Sequence, residues 1–269
     1  MADENSAAAT FKEGFVDADG FRVRYLSSGE GTPLVHLHGA GGLNLRRGHE
    51  LLSHHHRVIA CEMPGFGRSP ENMRTTSTAS LAETMGAAIR ALGITSCDLW
   101  GTSFGARVAL WLAARQPELV SALILEAPAA IRPEGRTPPA GSPAEMARML
   151  YAHPERQAPL PAPDPAAQAQ TRAFVMRVRG PDRDADLETA MRRLETPTLV
   201  LFGTHDLVMP PELGRHYKEL LPNAHLVFVY DAGHAISAER PEAFAEVTED
   251  FLERHEAFVI NRVNTVIHP

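Results

Sequence analysis

Two hydrophobic rhythms run along the chain. Near the start, residues 11–16 (FKEGFV) and 21–26 (FRVRYL) mix polar and apolar positions as half-exposed strands do, and Asp19-Gly20 between them is a hairpin turn signal. Residues 225–230 (HLVFVY) read as a further strand, and from residue 33 the runs become short and mostly apolar: 33–38 (PLVHLH), 57–61 (RVIAC), 96–100 (SCDLW), 122–125 (ALIL) and 198–202 (TLVLF). Strands buried on both faces read this way. Helical spacing fills the gaps. Residues 81–92 repeat apolar side chains every three or four positions, and 104–114 are apolar nearly all round, as suits a helix against the middle of a sheet. Residues 211–221 and 241–251 are helical as well, with Phe244, Val247, Phe251 and Leu252 forming one apolar stripe. Strand–helix alternation of this kind predicts an α/β fold: an eight-stranded, mostly parallel sheet flanked by helices, with right-handed crossovers.

One stretch breaks the alternation. Residues 128–194 contain no strand pattern and are rich in Pro, Ala, Arg and Asp. Ser142-Pro143-Ala144-Glu145 has the form of a helix start, with serine as N-cap, proline at the first helical position and glutamate closing a capping box. Residues 166–178 and 185–194 have helical spacing, and the proline-rich 154–165 predicts an extended linker. The expected organisation is a core of residues 11–127 and 195–255, a helical cap of 128–194 inserted after the sixth strand, and terminal segments 1–10 and 256–269 outside both.

Composition narrows the function classes. The formal net charge of −7 gives no basic footprint for nucleic acid. The longest apolar runs, such as 108–114, are too short for a membrane span, and the first ten residues lack the basic start of a secretory signal. Cys61 and Cys97 each fall in a buried strand pattern, which predicts reduced core thiols and a cytoplasmic protein. The expected partner is a small-molecule substrate; the pattern leaves the oligomeric state open.

Candidate chemistry gathers at strand ends. Gly101-Thr102-Ser103-Phe104-Gly105 is a G-x-S-x-G between a strand and a helix, where a strained turn lifts a serine above the sheet. A serine hydroxyl needs a base, and the base needs an orienting acid. Among 13 histidines, His234 alone lies after the last strand and before the last helix. Asp206 follows the seventh strand and can face it; Glu126, ending the sixth strand, and Asp231 are rival acids. The glycine-rich loop His38-Gly39-Ala40-Gly41-Gly42 offers main-chain N–H groups for an oxyanion, with Ala40 favoured, Gly41 as fallback and Phe104 as the second donor. No lysine follows that loop, which argues against a nucleotide. His36 and His38 flank Leu37 and would share a strand face; His38 is placed to fix the loop by hydrogen bonds. His54-His55-His56 diverge in direction and read as a solvated loop, so no metal site is expected.

These motifs resemble the α/β-hydrolase superfamily: HGAGG at 38–42, MPGFGRS at 63–69, GTSFG at 101–105, GTHDLVMP at 203–210 and DAGHAISAERPEAF at 231–244, in the family's order. The resemblance implies Ser103 as nucleophile, Asp206 as acid, His234 as base and Ala40 and Phe104 as oxyanion donors. It also implies a pocket with Gly39, Gly41, Met146 and Phe174 among its walls, and no cofactor. Glu62 stands where relatives often carry aspartate, a matter of turn packing. A serine in place of an aspartate nucleophile argues against relatives similar to haloalkane dehalogenases and epoxide hydrolases. What remains is similar to carboxylesterases, lactonases, perhydrolases and carbon–carbon bond hydrolases of aromatic ring-cleavage products. The last often carry a proline in the oxyanion loop that HGAGG lacks. The expectation is hydrolysis of a small or medium, largely apolar ester or lactone, with carbon–carbon hydrolysis and a non-enzymatic receptor as the other readings.

Overall fold

The computed structural model describes residues 9–69, 72–135, 141–158, 164–255 and 258. Its strands are β1 (Lys12–Ala18), β2 (Phe21–Ser28), β3 (Pro33–Leu37), β4 (Arg57–Glu62), β5 (Cys97–Thr102), β6 (Val120–Glu126), β7 (Thr198–Gly203) and β8 (Ala224–Val229). The helices are α1 (Arg47–Leu52), α2 (Thr78–Ala91), α3 (Phe104–Arg115), α4 (Pro143–Leu150), α5 (Pro165–Val178), α6 (Ala185–Met191), α7 (Gly214–Leu220), α8 (Ile236–Glu239) and α9 (Pro241–Arg254). All eight strands form one sheet in the order β1-β2-β4-β3-β5-β6-β7-β8. The β1–β2 and β2–β4 pairs are antiparallel and every other pair is parallel. Asp19 and Gly20 both adopt positive φ, as a tight hairpin turn requires.

Strand alternation divides the core in two. Val35, Leu37, Ile59 and Leu99 face a cluster with side chains of α2, α3, α5, α6 and α7. Leu34, Val58, Trp100 and Leu199 face Leu52 of α1, Ile236 of α8 and Phe244 and Phe251 of α9. After β3 and β4 the chain crosses back to place β5 on the other side of β3. Loops that leave β3 and β5 therefore diverge at the carboxyl edge of the sheet, the switch point where ligands bind in open α/β sheets.

Between β6 and β7 lie only helices and turns among the described residues. The box at α4 forms: the Ser142 hydroxyl accepts the Glu145 N–H, and the Glu145 carboxylate accepts the Ser142 N–H at 2.7 Å. In the proline-rich 154–165, Pro154–Arg156 forms a 3-10 turn rather than extended chain, and residues 159–163 lie outside the described residues. Terminal segments 1–10 and 256–269 lie outside them too, except residues 9, 10 and 258; Phe258 is buried against Phe251 and His225. Cys61 and Cys97 are free and buried, and burial pushes both thiols up to about 12. No described helix is long and apolar enough to cross a membrane.

Candidate active site

Ser103 sits between β5 and α3 with φ +52° and ψ −111°, a conformation that costs a side-chain-bearing residue free energy. Surrounding backbone enforces the turn. The Ser103 N–H donates to the Glu126 carbonyl at 2.9 Å, and the Ser103 carbonyl accepts from Ala106 and Ala129. A Cβ on Gly101 would stand 2.6 Å from Ala106 Cα, and one on Gly105 would stand 2.1 Å from the Leu37 carbonyl oxygen. Neither position admits a side chain, which is the physical content of the two motif glycines.

The Ser103 hydroxyl lies 2.9 Å from His234 Nε2, and His234 Nδ1 lies 2.8 Å from Asp206 Oδ2. Asp206 Oδ1 accepts the N–H groups of Val208 and Met209, both at 2.8 Å, so the carboxylate is held from behind. Because Oδ2 accepts, Nδ1 of the neutral imidazole carries the proton and Nε2 is free to accept from serine. Asp206 and His234 are buried. Their loops are laced together: the His205 N–H donates to the Ala232 carbonyl, and the Asp231 N–H to the Thr204 hydroxyl. The loops approach so closely that a Cβ on Gly203 would stand 2.1 Å from the Gly233 carbonyl oxygen.

The rival acids are engaged elsewhere. Glu126 accepts from Trp100, Thr102 and Ser237, and Asp231 bonds His153 Nε2 at 2.7 Å.

The loop after β3 reaches the serine. A Cβ on Gly39 would stand 3.4 Å from Ser103 Cβ, whereas one on Gly41 would meet nothing within 4 Å. Ala40 is half-buried against the core, and Gly42, at φ +88°, donates its N–H to the Gly39 carbonyl to close the turn. Phe104 is the first residue of α3, so its N–H has no partner within the helix and stands at the positive end of the helix dipole.

His38 anchors this loop. Its Nε2 accepts the Met63 N–H at 3.1 Å, so Nδ1 carries the proton and donates to the Gly39 carbonyl at 2.7 Å. Burial lowers its pKa to about 4. The shared face expected for His36 and His38 is not observed. Strand β3 ends at Leu37, so His38 turns toward Phe66, while His36 lies against Trp100 in the opposite cluster. Glu62 accepts the N–H groups of Arg68 and Ser69 and so packs the 63–69 turn.

Among the expected pocket residues, Phe174 is buried against Phe66, which in turn neighbours Phe104. Met146 is half-buried on α4; Met149 and Leu150 of that helix pack against the core. Contacts across long loops brought in residues that local patterns did not single out. The Leu150 carbonyl accepts the N–H groups of His234 and Ala235, and Glu239 accepts those of His153 and Gly233. Glu239 lies inside the 231–244 motif, five residues after His234, which is the one sequence signal that pointed to it.

Residues 34–247 match the Alpha/beta hydrolase family. The chain is 32% identical to the 2-hydroxymuconate semialdehyde hydrolase of Pseudomonas putida over 267 residues, covering 89% of this chain and 94% of that one. It is 31% identical to a pimeloyl-[acyl-carrier protein] methyl ester esterase of Neisseria meningitidis serogroup B over 217 residues, covering 73% and 82%. A solved serine hydrolase involved in carbazole degradation superposes with a TM-score of 0.78 at 24% identity, over 91% of this chain and 99% of that one. The eight-stranded sheet and the family match agree: the chain belongs to the alpha/beta hydrolase family.

Proposed function

We propose that the protein is a serine hydrolase of small or medium, largely apolar carboxylic esters or lactones, with Ser103 as nucleophile, His234 as general base and acid, and Asp206 as orienting acid. The observation that carries this reading is the continuous Ser103–His234–Asp206 hydrogen-bond line. Ser103 Oγ attacks the substrate carbonyl carbon as its proton passes to His234 Nε2. The carbonyl oxygen becomes an oxyanion beside the N–H groups of Phe104 and Ala40. Collapse expels the alkoxide, which takes the proton from His234, and leaves an acyl-Ser103 ester. Water, deprotonated by His234, then releases the acid and restores the serine. Residues 128–194 act as a helical cap over this site.

The immediate surroundings favour an uncharged substrate. Ala40, Phe104, Ala129 and Leu150 adjoin the serine and histidine loops. Of the three cap arginines with the charge to hold an anion, Arg177 donates to the Asn72 carbonyl, Arg179 pairs with Asp182, and Arg172 is exposed. Similarity to the 2-hydroxymuconate semialdehyde hydrolase supports a second reading, carbon–carbon hydrolysis of an anionic ring-cleavage product by the same serine. A panel of p-nitrophenyl esters, lactones and vinylogous 1,5-diketones, run beside Ser103→Ala, separates the two. Ester or lactone turnover lost in Ser103→Ala, without diketone cleavage, supports the first. Efficient diketone cleavage with negligible esterase activity moves the protein to the second.

A further inference from the structure

A buried polar cluster lies on the α1–α9 side of the sheet, behind the nucleophile, and its hydrogen bonds run in one direction. The Arg46 N–H donates to His49 Nδ1 at 3.1 Å, so the His49 proton is on Nε2 and donates to His36 Nδ1 at 2.9 Å. His36 must then carry its proton on Nε2, which donates to Thr102 Oγ1 at 3.0 Å. The Thr102 hydroxyl passes its own hydrogen to Glu126 Oε2 at 2.7 Å. That oxygen also accepts Trp100 Nε1–H at 3.1 Å, and Glu126 Oε1 accepts the Ser237 N–H at 2.8 Å. Both histidine rings lie against the Trp100 indole, 4.0 and 4.4 Å between centroids. His36, His49, Trp100, Glu126 and Ser237 are all buried.

Apolar side chains of similar size would fill this volume at lower desolvation cost. What they would not provide is a directional link between two segments. Thr102 directly precedes Ser103, and Ser237 lies three residues after His234. Glu126 holds both, one on each carboxylate oxygen, while its main-chain carbonyl holds the Ser103 N–H at 2.9 Å.

We propose that Glu126 is a positioning residue that fixes the nucleophile elbow and the histidine loop relative to each other from beneath, with the His49–His36–Thr102 chain orienting the hydroxyl it accepts. This rests on the reading of Ser103 and His234 given above. Replacing Glu126 by glutamine sets an amide donor against at least one of the three donors the carboxylate serves. Thr102→Val removes the link and strands the His36 N–H, whereas Thr102→Ser keeps it.

The test measures the second-order inactivation rate by a fluorophosphonate probe, with adducts mapped by mass spectrometry, and kcat and KM on p-nitrophenyl butyrate. A misplacement of ångström scale in reacting groups costs up to about 100-fold, so Glu126→Gln should lower the inactivation rate and kcat about 10- to 100-fold, with KM within about twofold. Thr102→Val should show the same pattern more weakly, and Thr102→Ser should restore it. Folded Glu126→Gln and Thr102→Val proteins that react at the wild-type rate would overturn the proposal, as would a raised KM at unchanged kcat. If Glu126→Gln does not fold, the valine and serine pair at 102 decides alone. A wild-type protein unreactive at Ser103 removes the underlying reading, and this proposal with it.

Discussion

The carbonyl of Leu150, the last residue of α4, accepts the main-chain N–H of His234 at 2.8 Å. The segment between β6 and β7 is thereby tied to the candidate base. Glu239 reinforces the tie with one oxygen on the His153 N–H and the other on the Gly233 N–H. Glu239→Gln leaves one of those donors without its acceptor, at a stability loss of about 1 kcal/mol. Because the loop carrying His234 loosens, kcat should fall about 5- to 20-fold with a smaller change in KM. Steady-state kinetics beside thermal unfolding of the variant checks this, and an unchanged kcat counts against the coupling.

Asp206→Asn should keep the fold and lose turnover. The asparagine oxygen can take the Val208 and Met209 N–H groups that Asp206 Oδ1 accepts, which turns its NH2 toward His234 Nδ1. That arrangement favours the tautomer with the proton on Nε2, where it no longer accepts from serine. Turnover should fall about 10³- to 10⁴-fold. Near-normal rates in Asp206→Asn, with a dead Glu126→Gln, would instead point to Glu126 as the acid.

Three buried histidines set a stability limit on the acid side. Burial is the first cause in each case: His36 is held well below its ordinary value, His38 at about 4 and His49 at about 3. In the unfolded chain each titrates near 6.5. Below that pH the unfolded state binds protons that the folded state does not. Stability is therefore complete above about pH 6.5 and falls as the pH drops toward the folded values, by about 1.4 kcal/mol per pH unit per histidine. Urea titrations from pH 7 to pH 5 should show a loss equivalent to at least two protons. A flat profile over that window would contradict the buried, neutral assignment.

The elbow should reveal its strain by substitution. Ser103→Gly removes the side chain that makes φ +52° costly, so it should unfold about 1 kcal/mol harder than Ser103→Ala. Gly105→Ala drives a methyl into the Leu37 carbonyl and should fold poorly, whereas Gly41→Ala, with open space around its Cβ, should keep wild-type stability. Differential scanning calorimetry of the four proteins gives the ranking.

The sheet was legible because a strand buried on both faces must be a short apolar run, and five such runs are separated by helical spacing. The elbow and the histidine loop were legible because glycines and strand ends fix them locally. Helices α1 and α8 were not: they have six and four residues, too few to show a periodic stripe. Residues 211–221 read as one helix, yet the chain begins there with a 3-10 turn at Pro211–Leu213 before α7. His36 was misplaced relative to His38 because strand alternation was extended one residue past the end of β3. Glu126 read as a rival acid because its position at a strand end is local information. Its partners come from β5 and α8, and no spacing along the chain encodes which face it takes.

The most direct test of the central claim is the site of covalent modification by diisopropyl fluorophosphate. Intact mass should rise by one diisopropylphosphoryl group per chain as esterase activity is lost, and peptide mapping should place it on Ser103. His234→Ala should react far more slowly, because the serine keeps its proton. An adduct on another residue with activity lost, or full activity retained after stoichiometric labelling of Ser103, would contradict the account.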